Sequence, residues 1–359
     1  MFMSARASSI SLNGASLCGV SLGSALLLAL AVPAAAAPHA PRVERVSTAA
    51  DGTQADGASG AASITPNGRF VAFRSSATDL VPEPGHGPDS QSYVRDLRTG
   101  TVSRVAALSS PALSADGRWA ASTDWGSHDI DVFLTDRTTG TRTQIDGAAF
   151  RDSAYEPTIS ADGRYVAYQY VTHPQFPTRI DLYDRVKGTH ETVSAGPRDD
   201  ASRDMSHPSI SGDGRLVAYQ DDGTGDVWVA DRRSGGQTQA DDGTRSTLVQ
   251  LSANGRTLAM NSAAGAYVRD LRTGRVRHLP GVQARAVSPD GRQLLYADGQ
   301  SALHLRDLRS GADRVVADAT AAASAITGAV SDRGAAFSSA AADLVPGDTN
   351  GVADVFVRR

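Results

Sequence analysis

The sequence predicts an all-β protein: a β-propeller of seven four-stranded blades whose last blade is completed by an N-terminal strand. Three observations support this prediction. A ten-residue segment recurs along the chain at intervals of 36 to 51 residues, and residues typical of further short strands follow each copy. The last copy lacks one strand, and a segment near the N-terminus resembles the missing one. Tandem four-stranded units of about 40–50 residues are typical of propeller blades.

The recurring segment is clearest in Ile159–Tyr168 (ISADGRYVAY) and Ile210–Tyr219 (ISGDGRLVAY). We interpret it as two strands joined by a tight turn, because an Asp-Gly or Asn-Gly pair between apolar runs is a strong hairpin signal. The glycines that mark the seven turns are Gly68, Gly117, Gly163, Gly214, Gly255, Gly291 and Gly334. The copy at Gly334 is decayed, but its spacing matches the others.

A third and a fourth strand are predicted after each hairpin. The third strand follows a loop of variable length and ends in aspartate, as in DVFLTD at Asp136 and DVWVAD at Asp231. An Asp-x-x-x-Gly turn such as DRTTG then leads into the fourth strand. In such a turn the aspartate accepts backbone N–H bonds, and the glycine takes the left-handed conformation.

The two ends of the repeat array are complementary. The final copy stops after DVFVRR (Asp354–Arg359), a third strand without a fourth, whereas RVERVS (Arg42–Ser47) resembles a fourth strand without a blade. We therefore predict that the N-terminal strand closes the seventh blade.

The N-terminal region is typical of an export signal. A 13-residue apolar run (Val20–Val32) is short for a membrane span, and Ala34 and Ala36 form an A-x-A cleavage site after it. We predict a signal peptide at residues 1–36, a short linker at 37–42 and the propeller at 43–359, with an uncleaved anchor as the alternative. Cleavage would remove Cys18, the only cysteine, which excludes disulfides, a thiol nucleophile and cysteine-ligated zinc.

The repeat S-x-D-G-R-x-[VL]-A-[YF] followed by D-[VL]-[YFW]-[VL]-x-D-x-x-[TS]-G resembles the TolB-like repeat, also called the WD40-like PD40 repeat, over about Val43–Arg359. This resemblance implies an exported β-propeller. It implies no single activity, because such propellers occur in translocation proteins, peptidase gating domains and carbohydrate-active enzymes. The chain departs from TolB in having seven units rather than six and no extra N-terminal domain, so the resemblance does not imply a role in a Tol–Pal system.

Comparison of the copies separates framework aspartates from candidate binding residues. Asp213 and Asp231 have counterparts in most units and are predicted to be structural. Asp221, Asp222 and Asp226 lie instead in the variable loop between the second and third strands. Propeller topology places these loops on the same face as the linkers between blades, which we call the loop face. Acidic residues of those linkers are Asp51, Asp56, Asp146, Asp152, Glu156, Asp199, Asp200, Asp204, Asp241 and Asp242.

Calcium is the one cofactor that the sequence suggests, and none is expected to be required. Asp348, Asn350 and Asp354 supply hard oxygen ligands beside a glycine turn. Their spacing does not match the twelve-residue EF-hand loop.

Glu156 and His207 each precede a proline just before an inner strand, so they are predicted at the mouth of the central channel. There they could bind a metal or act as an acid and a base, as channel histidines do in some propeller lyases. The mature chain, after residue 36, has no G-x-S-x-G elbow, H-E-x-x-H helix, P-loop or dinucleotide fingerprint.

The formal net charge of −4, with no basic cluster, argues against nucleic acid as a partner. We expect a secreted or cell-envelope monomer, without a membrane span after cleavage, that binds a protein or a cell-surface glycan through its acidic loop face. No catalysis is expected. The alternatives are a propeller enzyme of the polysaccharide lyase or lactonase type, with its site at the channel mouth, and a chain that only stabilises an envelope assembly.

Overall fold

The computed structural model describes residues 42–82, 91–126, 129–147, 152–172, 178–194 and 204–359. Within these ranges the chain forms seven four-stranded antiparallel sheets and one 3-10 turn, Ala319–Ala321. No helix in the described ranges is long and apolar enough to cross a membrane. The predicted signal peptide and residues 37–41 of the predicted linker lie outside the described residues.

Each sheet is one blade, and in six of the seven the strands are consecutive in the chain from the inner to the outer strand. Blade 1 consists of β2 (Ser59–Ile64), β3 (Phe70–Ser75), β4 (Gln91–Asp96) and β5 (Val102–Val105). Blade 2 consists of β6 (Ala112–Leu113), β7 (Trp119–Trp125), β8 (Ile130–Asp136) and β9 (Thr141–Gln144). Blade 3 consists of β10 (Ser153–Ile159), β11 (Tyr165–Val171), β12 (Thr178–Asp184) and β13 (Thr189–Thr192).

The next three blades repeat the same order. Blade 4 consists of β14 (Met205–Ile210), β15 (Leu216–Asp221), β16 (Asp226–Asp231) and β17 (Gly236–Gln239). Blade 5 consists of β18 (Ser246–Leu251), β19 (Thr257–Ser262), β20 (Gly265–Asp270) and β21 (Val276–Pro280). Blade 6 consists of β22 (Gln283–Val287), β23 (Gln293–Ala297), β24 (Leu303–Asp307) and β25 (Asp313–Ala317).

Blade 7 joins the two ends of the chain, as predicted. It consists of β26 (Val330–Ser331), β27 (Gly334–Ser339), β28 (Asp354–Arg358) and, as its outer strand, β1 (Val43–Arg45). Val43 lies opposite Arg358 and Arg45 opposite Phe356 in an antiparallel register. The prediction of seven blades closed by the N-terminal strand is therefore confirmed.

The apolar core lies between blades rather than within them. In the described part of the chain, seven clusters of buried side chains each join two successive blades. Phe337 and Phe356 of blade 7 belong to the cluster that contains Leu295 of blade 6. Ala336 of blade 7 shares another cluster with Val71 of blade 1. These contacts close the ring, so each blade depends on both neighbours for its buried surface.

The repeated Asp-Gly-Arg sequence builds an ion pair in successive blades. The arginine after the turn glycine contacts the aspartate at the end of the third strand, as in Arg118 with Asp136, where Nη2 and Oδ2 are 2.6 Å apart. The corresponding Arg69 lowers the pKa of Asp96 to about 2. In blade 4, Asp213 accepts hydrogen bonds from the Ser211 hydroxyl and the Arg215 N–H, and Arg215 pairs with Asp231. Asp213 and Asp231 are thus framework residues, as predicted.

The residue after that arginine fills a slot beneath the next blade. The rings of Phe70, Trp119 and Tyr165 lie against Gly117, Gly163 and Gly214 of the following blade. A Cβ atom on Gly163 would lie 2.3 Å from Cδ1 of Trp119, so only glycine fits there. The repeated glycine therefore serves both the turn conformation, with φ of +69° at Gly163, and the packing between blades.

Backbone hydrogen bonds join successive Asp-Gly turns on the face opposite the loop face, which we call the turn face. The Ala115 N–H donates to the Ala161 carbonyl, the Ala161 N–H to Gly212, and the Gly212 N–H to Ala253, at 2.7 to 2.9 Å. On the other side of the ring, the Asp332 N–H donates to the Pro66 carbonyl at 2.9 Å. These bonds fix the spacing of the inner strands around the central axis.

Candidate functional site

A cavity of about 450 Å³ lies along the axis of the ring. It is lined by inner strands and by the turns that follow them, including Ser110, Glu156, His207, Gln250 and Thr327. No lysine or arginine lines this cavity among the described residues. The channel is therefore concave, enclosed by rigid strands and free of fixed positive charge.

Five inner strands contain a β-bulge, at which one strand has an extra residue relative to its partner: β2, β10, β14, β18 and β22. The bulge residues Glu156 and His207 line the channel. In blades 1, 3 and 4 the bulge residues Ala61, Glu156 and His207 have φ of 50°, 52° and 52°. Positive φ is uncommon for residues other than glycine and is often found at functional sites.

A proline follows each of the two polar bulge residues. Pro157 and Pro208 have no N–H to donate to the sheet, so the ladder is interrupted at the bulge. Glu156 and His207 remain exposed beside fully buried neighbours on the next strand, Tyr168 and Tyr219. The sequence prediction that Glu156 and His207 face the channel agrees with their positions in the cavity lining.

Glu156 and His207 are brought together although they lie 51 positions apart in the chain. The carboxylate Oε2 of Glu156 accepts the backbone N–H of His207 at 2.8 Å, and its Oε1 lies 3.9 Å from Nε2 of the ring. On its other side, Nδ1 of His207 is 2.7 Å from the Ser206 hydroxyl. Both side chains are nearly half exposed, at 44% and 47%, so they can contact a ligand.

The remaining polar groups of the channel fall into two sets. Gln250 is committed to the scaffold, because its Oε1 accepts the N–H groups of Val287 and Gly328. The Ser110 hydroxyl is buried and has no hydrogen-bond partner within the described residues. A buried hydroxyl without a partner costs free energy unless a ligand or water completes its bonds.

The loop aspartates of blade 4 have partners within their own hairpin. The side chain of Asp221 is buried and accepts the N–H groups of Gly223 and Thr224. Asp222 accepts a bond from the Gln220 side chain, and its carbonyl accepts Nη2 of Arg245 at 2.9 Å. Asp226 lies opposite Asp221 at the start of β16 and is partly exposed. Of the three, Asp222 and Asp226 have side chains that solvent reaches.

Several other acidic residues of the loop face also stabilise their own loops. Asp51 accepts both the N–H and the hydroxyl of Thr53, and Asp56 does the same with Thr78. Asp241 is buried and accepts the N–H of Val227. Asp199 and Asp200 lie outside the described residues.

Two of the three predicted calcium ligands, Asp348 and Asp354, lie beside an arginine. Arg45 of β1 places Nη2 3.5 Å from Asp348 Oδ2 and Nε 3.4 Å from Asp354 Oδ2. Gln54 donates to both carboxylates, and Ser47 donates to Asp354 at 2.6 Å. The predicted ligand Asn350 donates its Nδ2 to the Ala55 carbonyl at 2.8 Å, and its Oδ1 accepts the Val352 N–H. The guanidinium thus supplies the positive charge expected from calcium, and calcium could reach both carboxylates only if Arg45 moved away.

In the described ranges, no three His, Cys, Asp or Glu side chains are close enough together to hold a metal ion. Glu156 and His207 therefore form a pair without a third ligand of this kind in those ranges.

Sequence comparison missed a pair of buried carboxyl groups in blade 2. Asp131 and Asp146 are both about 4% exposed, and Oδ2 of Asp146 accepts the N–H of Val132 at 2.9 Å. Burial, and then the nearby carboxylates of Asp146 and Asp129, raise the pKa of Asp131 to about 6. In the sequence, Asp131 is marked only by its place in the repeat, because DVF at the start of β8 corresponds to DVW at the start of β16.

We predict that Asp131→Asn stabilises the protein at neutral pH. The folded state holds a proton on Asp131 up to about pH 6, whereas the unfolded chain releases it near 3.8, so stability falls as pH rises between these values. Asparagine cannot ionise, so the variant should gain up to about 3 kcal/mol at pH 7.5 and little at pH 4. Melting curves across this range measure the difference.

The matched control for this prediction is Asp226→Asn, at the corresponding position of blade 4, where the side chain is partly exposed. It should change the pH dependence of melting much less. If the melting temperature of Asp131→Asn depended on pH in the same way as that of the wild type, the raised pKa assigned to Asp131 would be contradicted.

Comparison with solved structures identifies the architecture. An oligogalacturonate lyase in complex with manganese superposes with a TM-score of 0.62 at 14% identity, over 88% of this chain and 92% of that chain. Oligogalacturonate lyase from Vibrio parahaemolyticus superposes with a TM-score of 0.60 at 13% sequence identity, over 88% of this chain and 93% of that chain. The chain shares their β-propeller fold. At such identities the likeness establishes the fold and leaves the activity open.

TolB from Acinetobacter baumannii is also among the similar solved structures, with a TM-score of 0.46 at 17% identity, over 75% of this propeller chain and 81% of that chain. TolB is the protein whose repeat the sequence resembles. No protein-family model matches the sequence, and no curated protein matches it. Any function of this propeller must therefore be argued from its own residues.

Proposed function

We propose that this chain is an exported binding protein that receives the end of an uncharged cell-surface glycan at the mouth of the central channel. The observation that carries the proposal is the Glu156–His207 pair, joined across two blades and exposed in the wall of the axial cavity. Small-ligand sites are typically concave and pre-formed, with a few polar groups that fix orientation.

The groups at this position suit hydroxyl ligands. The Glu156 carboxylate accepts hydrogen bonds, and the exposed nitrogen of His207 accepts or donates one according to its tautomer. Ser110 adds a buried hydroxyl without a partner in the described residues. Adjacent hydroxyls of a sugar ring can pair with Glu156 and His207, whose side chains are nearly half exposed. A cavity of about 450 Å³ is in the range of small-ligand sites.

Charge favours an uncharged glycan over an acidic one. The channel wall carries the Glu156 carboxylate and, in the described residues, no arginine or lysine. An oligogalacturonate has a carboxylate on each sugar, and desolvating these groups beside Glu156 without a cation would be unfavourable. Among the described residues, the site therefore lacks the cations needed to bind an oligogalacturonate.

A propeller enzyme is the second candidate, and the same pair of residues favours it. A carboxylate and an imidazole 3.9 Å apart can act as a base and an acid on one substrate. A lyase would remove a proton next to a carboxylate and expel the leaving group, which creates a carbon–carbon double bond. Such a reaction is detected by the ultraviolet absorbance of the unsaturated product.

The test is calorimetric titration of the mature protein with a panel of neutral oligosaccharides and with trigalacturonate. We expect a neutral member to bind, and Glu156→Gln and His207→Ala each to weaken it by roughly 10- to 100-fold, since one hydrogen bond to a charged group contributes about 1.5–3 kcal/mol. Asp242→Asn, on the acidic loop face, is the matched control and should bind normally.

The outcomes separate the candidates. Loss of binding in Asp242→Asn but not in Glu156→Gln would move the site from the channel to the acidic loop face. Binding of trigalacturonate with formation of an unsaturated product would favour the enzyme. Failure of every neutral oligosaccharide to bind would overturn the glycan proposal.

A further inference from the structure

The turn face carries a second cavity, between blades 5 and 6, and the internal repeats indicate what it can hold. The cavity measures about 610 Å³ and lies on the far side of the disc from the loops. It occupies the slot that, at three other junctions, is filled by the aromatic residue after the repeated arginine.

In the filled slots an aromatic ring lies between two guanidinium groups. Trp119 has the Arg118 Cζ 5.0 Å and the Arg185 Cζ 4.0 Å from its ring centroid. Tyr165 has Arg164 at 4.8 Å and Arg232 at 4.2 Å. One arginine comes from the same blade and one from the next. Such contacts contribute about 0.5–1 kcal/mol each at exposed sites and more where water is excluded.

Phe70 fills the slot between blades 1 and 2 in the same way. The Cζ atoms of Arg69 and Arg137 lie 4.5 and 5.2 Å from its ring centroid. Its edge packs against Gly117. Phe, Trp and Tyr are thus accepted by one geometry, so the slot selects a planar ring rather than one particular side chain.

Between blades 5 and 6 the ring is missing. Thr257 occupies the aromatic position, and its hydroxyl donates to the Gly291 carbonyl at 2.9 Å instead of filling the slot. Arg256 still precedes it, and Leu308 stands where Arg137, Arg185 and Arg232 stand in the other junctions. Threonine leaves open the part of this cavity that an aromatic ring occupies at the three other junctions.

The walls of this cavity carry an excess of positive charge. Five arginines and two aspartates line it: Arg256, Arg275, Arg277, Arg292, Arg309, Asp270 and Asp290. Arg256 pairs with Asp270 at 2.8 Å, and Arg292 lies 3.6 Å from Asp290. Arg275, Arg277 and Arg309 have no ion-pair partner within the described part of the chain. Three cations thus remain available to a ligand.

We propose that this slot is a second binding site, which takes an aromatic ring that carries a carboxylate. The ring would lie beside Arg256, as the native rings lie beside the preceding arginine in the other slots, and Leu308 and Val268 would line its pocket. The carboxylate would pair with Arg275, Arg277 or Arg309, because planar guanidinium groups bind carboxylates in a bidentate manner. This site is independent of the channel and of the glycan proposal, since it lies on the opposite face and shares no residue with it.

The same chemistry has two sources: a free aromatic acid, or a peptide that ends in an aromatic residue. The probes are therefore N-acetylphenylalanine, its amide, N-acetylleucine and a hexapeptide with a C-terminal phenylalanine, each titrated calorimetrically into the mature protein. We expect N-acetylphenylalanine to bind, and the amide and the leucine derivative to bind at least about tenfold more weakly. If the hexapeptide binds more tightly than N-acetylphenylalanine, the natural ligand is a peptide. If the two bind equally, it is a free aromatic acid.

The decisive variant is Thr257→Tyr, which supplies the missing ring from within the chain. It should abolish binding of N-acetylphenylalanine while its melting temperature stays at or above that of the wild type, because the new ring reproduces the packing of Tyr165. Leu216→Tyr, at the corresponding position between blades 4 and 5, is the matched control and should bind normally.

Three results would overturn the proposal. These are unchanged affinity in Thr257→Tyr, equal binding of the acid and its amide, and absence of binding by every aromatic probe. Arg277→Gln gives a second measurement that leaves the ring slot intact, and it should weaken N-acetylphenylalanine but not the amide. None of these results depends on whether the channel binds a glycan.

Discussion

Replacing Arg45 by methionine is expected to lower the free energy of unfolding by about 3–5 kcal/mol. Its side chain is only 8% exposed and lies between Asp348 and Asp354, which are 2% and 0% exposed. Removing the guanidinium leaves two carboxylates buried without a cation. Burial already raises the pKa of Asp354 despite the opposing hydrogen bonds from Ser47 and Gln54 and the charge of Arg45.

Chemical denaturation at pH 7.5 and pH 4.5 measures this effect. The loss should be smaller at pH 4.5, where protonation can neutralise the carboxylates that Arg45 no longer balances. Arg42→Ala is the matched control, because Arg42 is exposed and shows only a backbone contact, from the Arg359 N–H to its carbonyl. An Arg45→Met protein as stable as this control would contradict the role assigned to the ion-pair cluster.

Deleting residues 42–47 is expected to unfold the protein or cause it to aggregate. The deletion removes β1, the buried Val46, and the Ser47 hydroxyl that bonds both Asp354 and the Val355 N–H. Roughly five backbone hydrogen bonds at about 1 kcal/mol each are lost together with the Arg45 cluster. Typical net stability is only about 5–15 kcal/mol, so little would remain.

The comparison is between the mature protein and a variant that begins at Thr48, by circular dichroism and size-exclusion chromatography. A synthetic peptide that spans residues 42–52 should partly restore folding when added in excess, because it supplies the outer strand of blade 7. Melting of the shortened protein within a few degrees of full length would contradict closure as a source of stability.

The blades were predictable because their signals are local. The Asp-Gly turn, the alternation of the second strand and the aspartate of the third strand recur at short spacing, and each has a physical reason within its own blade. Closure was predictable as well, since Arg42–Ser47 and Asp354–Arg359 are each incomplete alone. Both predictions use only backbone pairing, which depends little on side-chain detail.

The site was predictable only in part, because its contacts cross between blades. The prolines after Glu156 and His207 placed both residues at the channel, but no sequence pattern showed that the carboxylate binds the other residue's N–H. The loop DTNGVAD resembled a cation site because its natural cation, Arg45, lies some 300 positions away in the sequence. Likewise, the cavity beside Thr257 becomes visible only when that residue is set against the rings at the other junctions.

The β-bulge lies at corresponding positions of inner strands in several blades, and this position can change its side chain independently in each blade. Glu156 and His207 are bulge residues of β10 and β14 that line the axial cavity, and neither belongs to an apolar cluster between blades. Ala61, Glu156 and His207 share the same backbone conformation and differ only in chemistry. Binding preference can therefore drift one blade at a time at little cost to folding, so descendants of one propeller can come to recognise unrelated molecules while their frames stay superimposable.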